Sequence, residues 1–336
     1  MMKKLNFVKF AYFAFSAHKY SDYLASYKTE CMTITNFTRP STIQEGDTIG
    51  ILSTARAIEQ EELLKAKKHL NEKGFNVIYG ATIGAKHHQF AGDDELRLND
   101  LQTMIDTPEV DAIICARGGY GTARLLEQIN WSNFKENPKW IMGYSDITAL
   151  HNALSQMGIM SLHGIMPINI KDDESKQALD KALAIMCGQS SFSLDLQSHK
   201  LNHSAPARGI LTGGNLSMLY SLRGTKYDFE SRQRILFIED LDEYLYHIDR
   251  MMVNFKLSHI LTNISALVVG GMTDMNDNTI AYGYTAEEII ESHMEEDIPL
   301  FFNAPFGHFP GNHPLVCGAQ GNISNENNQW RLNYKL

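Results

Sequence analysis

From Asp47 onward, short apolar runs alternate with stretches whose apolar residues recur at helical spacing. "DTIGILST", "FNVIYG", "VDAIICA", "KWIMGYS" and "MSLHG" are apolar almost throughout, the pattern of strands buried on both faces. Between them, "EQEELLKAKKHLNEKG", "DDELRLNDLQTMID", "TARLLEQI" and "DITALHNALSQMG" predict helices, with Gly74 as a C-terminal stop for the first. Strand followed by helix, repeated, predicts a parallel sheet covered on both faces, so the class is α/β, doubly wound. The segment "GQSSFSLDLQSHKLNHSAPARG" breaks this rhythm and reads as a crossover. Beyond it, "GILTGGNLSMLYSL", the strand "RILFIED", the helix "YLYHIDRMMVNF", the strand "ISALVVGG" and the helix "TAEEIIESHMEE" continue the alternation. Gly, Pro and Asn punctuation then predicts β-structure to the C-terminus. The expected organisation is a mostly parallel α/β domain at 32–190, a linker at 191–208, and a smaller C-terminal α/β domain at 209–336 with β-rich, barrel-like character.

The N-terminus departs from this pattern. "MMKKLNFVKFAYFAFSAHKY" has a basic start and an apolar aromatic stretch, which raises a signal peptide. Lys9 interrupts the stretch, and Phe and Tyr stand where Leu and Ala are usual. Residues 1–31 are therefore expected to be an extension outside the fold. Net charge is −9 and the basic residues are dispersed, which argues against a nucleic-acid surface. No apolar run approaches the ~18 residues of a membrane span. Cys31, Cys115, Cys187 and Cys317 lie far apart without CxxC spacing, so neither a disulfide framework nor a zinc site is expected. Cys115 and Cys187 lie in apolar runs and are expected to pack as small hydrophobes.

Four segments carry candidate chemistry. Gly143-Tyr144-Ser145-Asp146-Ile147 joins a buried strand to a helix, where a serine hydroxyl can project above the sheet as in the G-x-S-x-G elbow. The second glycine is missing, and taken alone the local sequence favours a helix cap. "CARGGYGTARLL" also follows a strand, and three glycines in four positions expose backbone N–H groups. It lacks the P-loop ending and dinucleotide spacing, while an oxyanion hole needs the same geometry. In "RILFIEDLDE", strand alternation puts Glu239 and Asp240 on opposite faces, so one of them points into a cleft. An acid-rich helix start accounts for Asp242 and Glu243 better than for Glu239. In "NAPFGHFPGNHP", His308 follows Pro-Phe-Gly in a loop, although with 13 histidines an idle surface position is a strong alternative. His163 ends a strand beside Ser145 and reads as a cleft or core histidine, and no metal-ligand spacing occurs.

Together with "GDTIGILSTA", "FAGDDELRLNDL", "HGIMP", "GGNLSML" and "LVVGGM", these segments make residues 43–324 resemble the LD-carboxypeptidase family, the murein tetrapeptide carboxypeptidases and microcin-immunity peptidases. The resemblance implies a serine peptidase with Ser145 as nucleophile, Glu239 as acid and His308 as base, assembled across two domains. It implies an oxyanion hole from backbone N–H groups at Gly118, Gly119 and Asp146. Arg117 and Asn215 are candidate substrate contacts, Arg117 because an exopeptidase has to recognise a terminal carboxylate. The implied reaction removes the terminal D-alanine from cytoplasmic murein tetrapeptides in cell-wall recycling. Neither metal nor organic cofactor is implied, nor a nucleic-acid or membrane partner, and a homodimer is. Two rivals are a microcin-type peptidase acting on a peptidyl-aminoacyl nucleotide and a non-catalytic small-ligand-binding protein.

Overall fold

The computed structural model describes residues 34–336, so the expected extension at 1–31 lies outside the described residues. The first apolar run folds as β1 (Thr48–Leu52) and is followed by a 3-10 turn and α1 (Leu64–Glu72). Gly74 (φ 88°) ends α1 as expected: its N–H bonds the Asn71 carbonyl and that of Phe75 bonds Leu70. Then come β2 (Asn76–Tyr79), α2 (Asp94–Asp106) capped by the Asp93 side chain, β3 (Ala112–Cys115), α3 (Ser132–Glu136) and β4 (Trp140–Gly143). α4 (Thr148–Gln156), β5 (Ser161–His163) and α5 (Asp173–Met186) complete this half.

Three expectations are corrected. "TARLLEQI" forms only a 3-10 turn at Thr122–Arg124, because Thr122 is tied by its N–H to Asp146 and by its hydroxyl to Thr54. Residues 191–208 are not all linker, since they contain β6 (Ser191–Leu196), which pairs with a strand over a hundred residues later. Cys187, at the end of α5, is exposed.

The second half holds β7 (Ala207–Asn215), α6 (Leu216–Ser221), β8 (Arg234–Leu241), α7 (Leu245–Leu257), α8 (Ile260–Asn263) and β9 (Ala266–Thr273). It ends with α9 (Ala286–Ser292), β10 (Leu300–Phe301), β11 (Leu315–Cys317), β12 (Gln320–Glu326) and β13 (Gln329–Lys335). A six-stranded sheet runs in the order β11-β5-β4-β3-β1-β2, parallel except for β11, which returns from the C-terminal half to pair antiparallel with β5. A seven-stranded mixed sheet runs β10-β9-β8-β7-β12-β13-β6, and a bridge between His203 and Leu300 lies at its β10 end.

Strand alternation sorts the core. Ala112 and Ile114 of β3 face the cluster shared by both sheets, while Ile113 and Cys115 face the layer with α2 and α4. Likewise Ile235 and Phe237 of β8 face the shared cluster, while Leu236 and Ile238 face α7 and α9. Residues 35–336 thereby form one compact unit.

Candidate active site

At the end of β4 the chain turns sharply. Tyr144 is extended, Ser145 has φ 61°, and a 3-10 turn at Ser145–Ile147 leads into α4. A non-glycine residue in the left-handed region is uncommon, and a strained serine at a strand-to-helix turn is the geometry of a nucleophile elbow. Ile147 stands where the motif has its second glycine. It folds back on Gly143, where an added Cβ would meet its Cγ1 at 2.8 Å, so the first glycine is required.

The loop after β3 lies directly over this turn. A Cβ on Gly118 would stand 3.1 Å from Ser145 Cβ and 3.4 Å from the Asp146 nitrogen. The N–H groups of Gly118 and Gly119 make no hydrogen bond among the described residues, which leaves them available as donors. Asp146 is fully buried, and its Oδ2 accepts from Thr122 N–H at 2.9 Å, pinning loop and elbow together. Burial pushes its carboxyl above the usual range, against the lowering effect of the bonds from Thr122 and Gly121 and of the Arg97 charge.

The second sheet supplies an acid and a base. Glu239 continues the inward register of Ile235 and Phe237 and is fully buried. His308 lies in the loop between β10 of the second sheet and β11 of the first, so both sheets fix its position. Its Nδ1 meets Glu239 Oε2 at 2.5 Å, which leaves Nε2 as the acceptor, and its ring packs 4.7 Å from that of Tyr144, the neighbour of Ser145. Burial is the largest influence and pulls the imidazole down. The Glu239 charge and hydrogen bond together outweigh it, with help from Asp240, and hold the pKa above its ordinary 6.5. Gly307 (φ 121°) lets the loop pass, since a Cβ there would lie 3.1 Å from that of Glu239, and its N–H donates to Asn312 Oδ1.

Asp240 faces the other way, accepting from Asn215 Nδ2, Ser217 N–H and Leu241 N–H. Burial, and then the Glu239 charge, push it up to about 7. Asn215, the other candidate substrate contact, lies at the junction of β7 and α6. It is 4% exposed, and its side chain caps α6 through Met218 N–H while also bonding Ser217 Oγ and Asp240. Arg117 is half-buried, with Nη1 donating to the Ala57 carbonyl at 3.0 Å. His163 is a core residue, fully buried against Phe237, Phe306 and Tyr144, and burial holds it well below its ordinary value.

Sequence reasoning passed over Tyr144, Thr148 and Asn312. Thr148 Oγ1 accepts from Asn215 N–H, and a Cβ on Gly214 would lie 2.4 Å from that oxygen, so "GGN" is what lets β7 approach α4. Among the described residues no group of three His, Cys, Asp or Glu side chains could hold a metal ion, and no helix is long and apolar enough to cross a membrane.

A serine on a strained turn, a buried carboxylate–imidazole pair and free backbone donors are the parts that acyl transfer requires, here on a two-sheet α/β scaffold. Comparison with known proteins agrees. The LD-carboxypeptidase N-terminal domain matches residues 49–164 and the LD-carboxypeptidase C-terminal domain matches residues 208–323. A Bacillus subtilis protein named "Probable murein peptide carboxypeptidase" is 35% identical over 69% of this chain and 74% of its own. The murein tetrapeptide carboxypeptidase of Pseudomonas aeruginosa is 26% identical over 84% of this chain and 94% of its own. The solved muramoyltetrapeptide carboxypeptidase of Oxalobacter formigenes superposes with a TM-score of 0.77 at 27% identity, covering 86% of this chain and 99% of that one. The microcin C7 self-immunity protein MccF shares the fold at 19% identity with a TM-score of 0.76, covering 88% of this chain and 98% of its own. The chain belongs to the LD-carboxypeptidase family and is a serine carboxypeptidase.

Proposed function

We propose that this carboxypeptidase removes the terminal D-alanine of murein tetrapeptides, cleaving the amide to an L-configured diaminopimelate or lysine centre. The observation that carries the reading is the 2.5 Å His308–Glu239 pair placed against Tyr144, one residue from the strained Ser145. Ser145 Oγ attacks the scissile carbonyl carbon while His308 Nε2 takes its proton. Glu239 fixes the tautomer and stabilises the imidazolium. The N–H groups of Gly118, Gly119 and Asp146 receive the oxyanion. Collapse breaks the C–N bond, with the His308 proton passing to the departing amine, and water then hydrolyses the acyl-enzyme. A cytoplasmic place in cell-wall recycling, a homodimer and a division into two domains that meet at the site belong to the same reading.

A second reading has one feature in its favour. Tyr244 and Tyr246 are exposed, with ring centroids 5.6 Å apart, just beyond the strand that carries Glu239. Such rings suit stacking on a nucleobase, as a microcin-type peptidyl-aminoacyl nucleotide would require.

The test incubates purified protein with diaminopimelate and lysine tetrapeptides and follows D-alanine by mass spectrometry, with Ser145→Ala alongside. Wild-type release is expected, and Ser145→Ala is expected to lower it ~10⁴–10⁶-fold without unfolding. Equal release by both would remove Ser145 as the nucleophile. Release by neither, with turnover of an aminoacyl-nucleotide amide, would establish the second reading.

A further inference from the structure

The six-stranded sheet reverses direction between β1 and β3: the chain passes from β1 to β2 on one side, then crosses to β3 on the other. Open α/β sheets bind ligands outside the carboxyl ends of their strands at such a point. Two loops flank the crevice here, residues 53–59 after β1 and residues 116–121 after β3. The second of these covers Ser145.

Four arginines stand around these loops. Arg97 and Arg124 are both paired with Asp94. Arg117 is half-buried and bonds the Ala57 carbonyl. Arg56 differs from all three. Its backbone is held by a bridge to Phe90 and by the Ser53 hydroxyl on its carbonyl, while its guanidinium has no hydrogen bond or ion pair among the described residues. The side chain is exposed, yet it does not extend freely into water. It lies along Gly119, where an added Cβ would meet Arg56 Cδ at 2.6 Å and Nε at 3.1 Å. Gly118, the next residue, is the one that touches Ser145. Arg56, Gly119, Gly118 and Ser145 thus form one continuous contact across the switch point.

In an exopeptidase substrate, only the amide nitrogen and one Cα separate the attacked carbonyl carbon from the terminal carboxylate. The partner of that carboxylate therefore has to stand on the surface that also faces the nucleophile. We propose that Arg56, rather than Arg117, binds the α-carboxylate of the departing residue and so restricts the enzyme to C-terminal bonds. The assignment rests on the carboxypeptidase reading above. A planar guanidinium offers two parallel donors to a carboxylate, and Gly119 supplies the flat bed on which it lies.

The test measures binding, so that it does not depend on turnover. Diaminopimelate tetrapeptide, as free acid and as C-terminal amide, is titrated calorimetrically into Ser145→Ala, Ser145→Ala/Arg56→Gln and Ser145→Ala/Arg117→Gln. Circular dichroism melts check that each variant is folded. Ser145→Ala is expected to prefer the free acid by roughly 10- to 100-fold, the scale of a charge-assisted pair. That preference is expected to vanish with Arg56→Gln and to survive Arg117→Gln. Persistence in the Arg56 variant, loss only in the Arg117 variant, or no preference in Ser145→Ala would each overturn the assignment. Wild-type protein that releases no D-alanine, alongside an Arg56-dependent preference in the binding series, would overturn the turnover reading and leave the anchor in place.

Discussion

In the proposed mechanism His308 accepts a proton from Ser145 only while its imidazole is neutral, and this ties the rate to pH. Its pKa is held above 6.5 because the Glu239 charge and hydrogen bond outweigh the opposing effect of burial. The kcat/KM for D-alanine release is therefore expected to rise with pH through a midpoint above 6.5. Glu239→Gln keeps the shape but removes the charge, so burial is opposed chiefly by the weaker effect of Asp240. The midpoint is expected to move downward while kcat falls by roughly 10³–10⁴-fold, because the tautomer is no longer fixed. A pH profile of each protein checks both. An unmoved midpoint would mean that Glu239 does not act on His308. At this scale much of the candidate site was legible in the sequence. Ser145, Glu239 and His308 each sit in a short motif, and alternation along β8 already separated Glu239 from Asp240. What it did not carry were partners distant in the chain, such as Tyr144 against His308 and Asn312 beneath Gly307.

Elements followed from sequence where the periodic pattern was long and the caps were local, as in α1 with Gly74 or α2 with Asp93. They failed where a tertiary tie decided. Thr122 is held to Asp146 and Thr54, so the apolar spacing of "TARLLEQI" never closes into an α-helix. The strand at Ser191–Leu196 exists because β13 offers it a partner, which no local pattern could reveal. The junction of β7 and α6 shows the same dependence. Asp240 gathers Asn215 Nδ2, Ser217 N–H and Leu241 N–H on the face of β8 opposite Glu239. Asp240→Ala leaves the buried Asn215 amide and the part-buried Ser217 and Leu241 N–H groups without this acceptor, at a cost of about 1–3 kcal/mol. It is expected to lower the urea midpoint clearly while the folded protein keeps turnover within roughly tenfold of wild type. Glu239→Ala is expected to do the reverse. Denaturation and steady-state rates on both variants decide, and the opposite ranking of rates would make Asp240 the catalytic acid.

For the molecule as a whole, the question is whether the two sheets unfold together. Two family domains match the chain separately, at 49–164 and 208–323, and that division favours independent units. The packing favours one. Ile49, Ile114 and Met142 of the first sheet share a single buried cluster with Leu211, Phe237 and Val268 of the second. Leaving one such side chain exposed costs about 1.5–3 kcal/mol, so losing a handful exceeds the 5–15 kcal/mol by which a domain is usually stable. β11 adds a direct pairing to β5, and the Tyr334 hydroxyl of β13 donates to the Pro314 carbonyl beside it. The loop that carries His308 is strung between the sheets, so their separation would also dismantle the proposed site around the Glu239–His308 pair. Trp140 in β4 and Trp330 in β13 report on the two sheets separately. In variants that retain one of these as the sole tryptophan, fluorescence and far-UV circular dichroism are expected to give the same urea midpoint. If Trp330 instead changed at lower urea than the dichroism, the second sheet would be opening alone, and activity would be expected to disappear with that first transition.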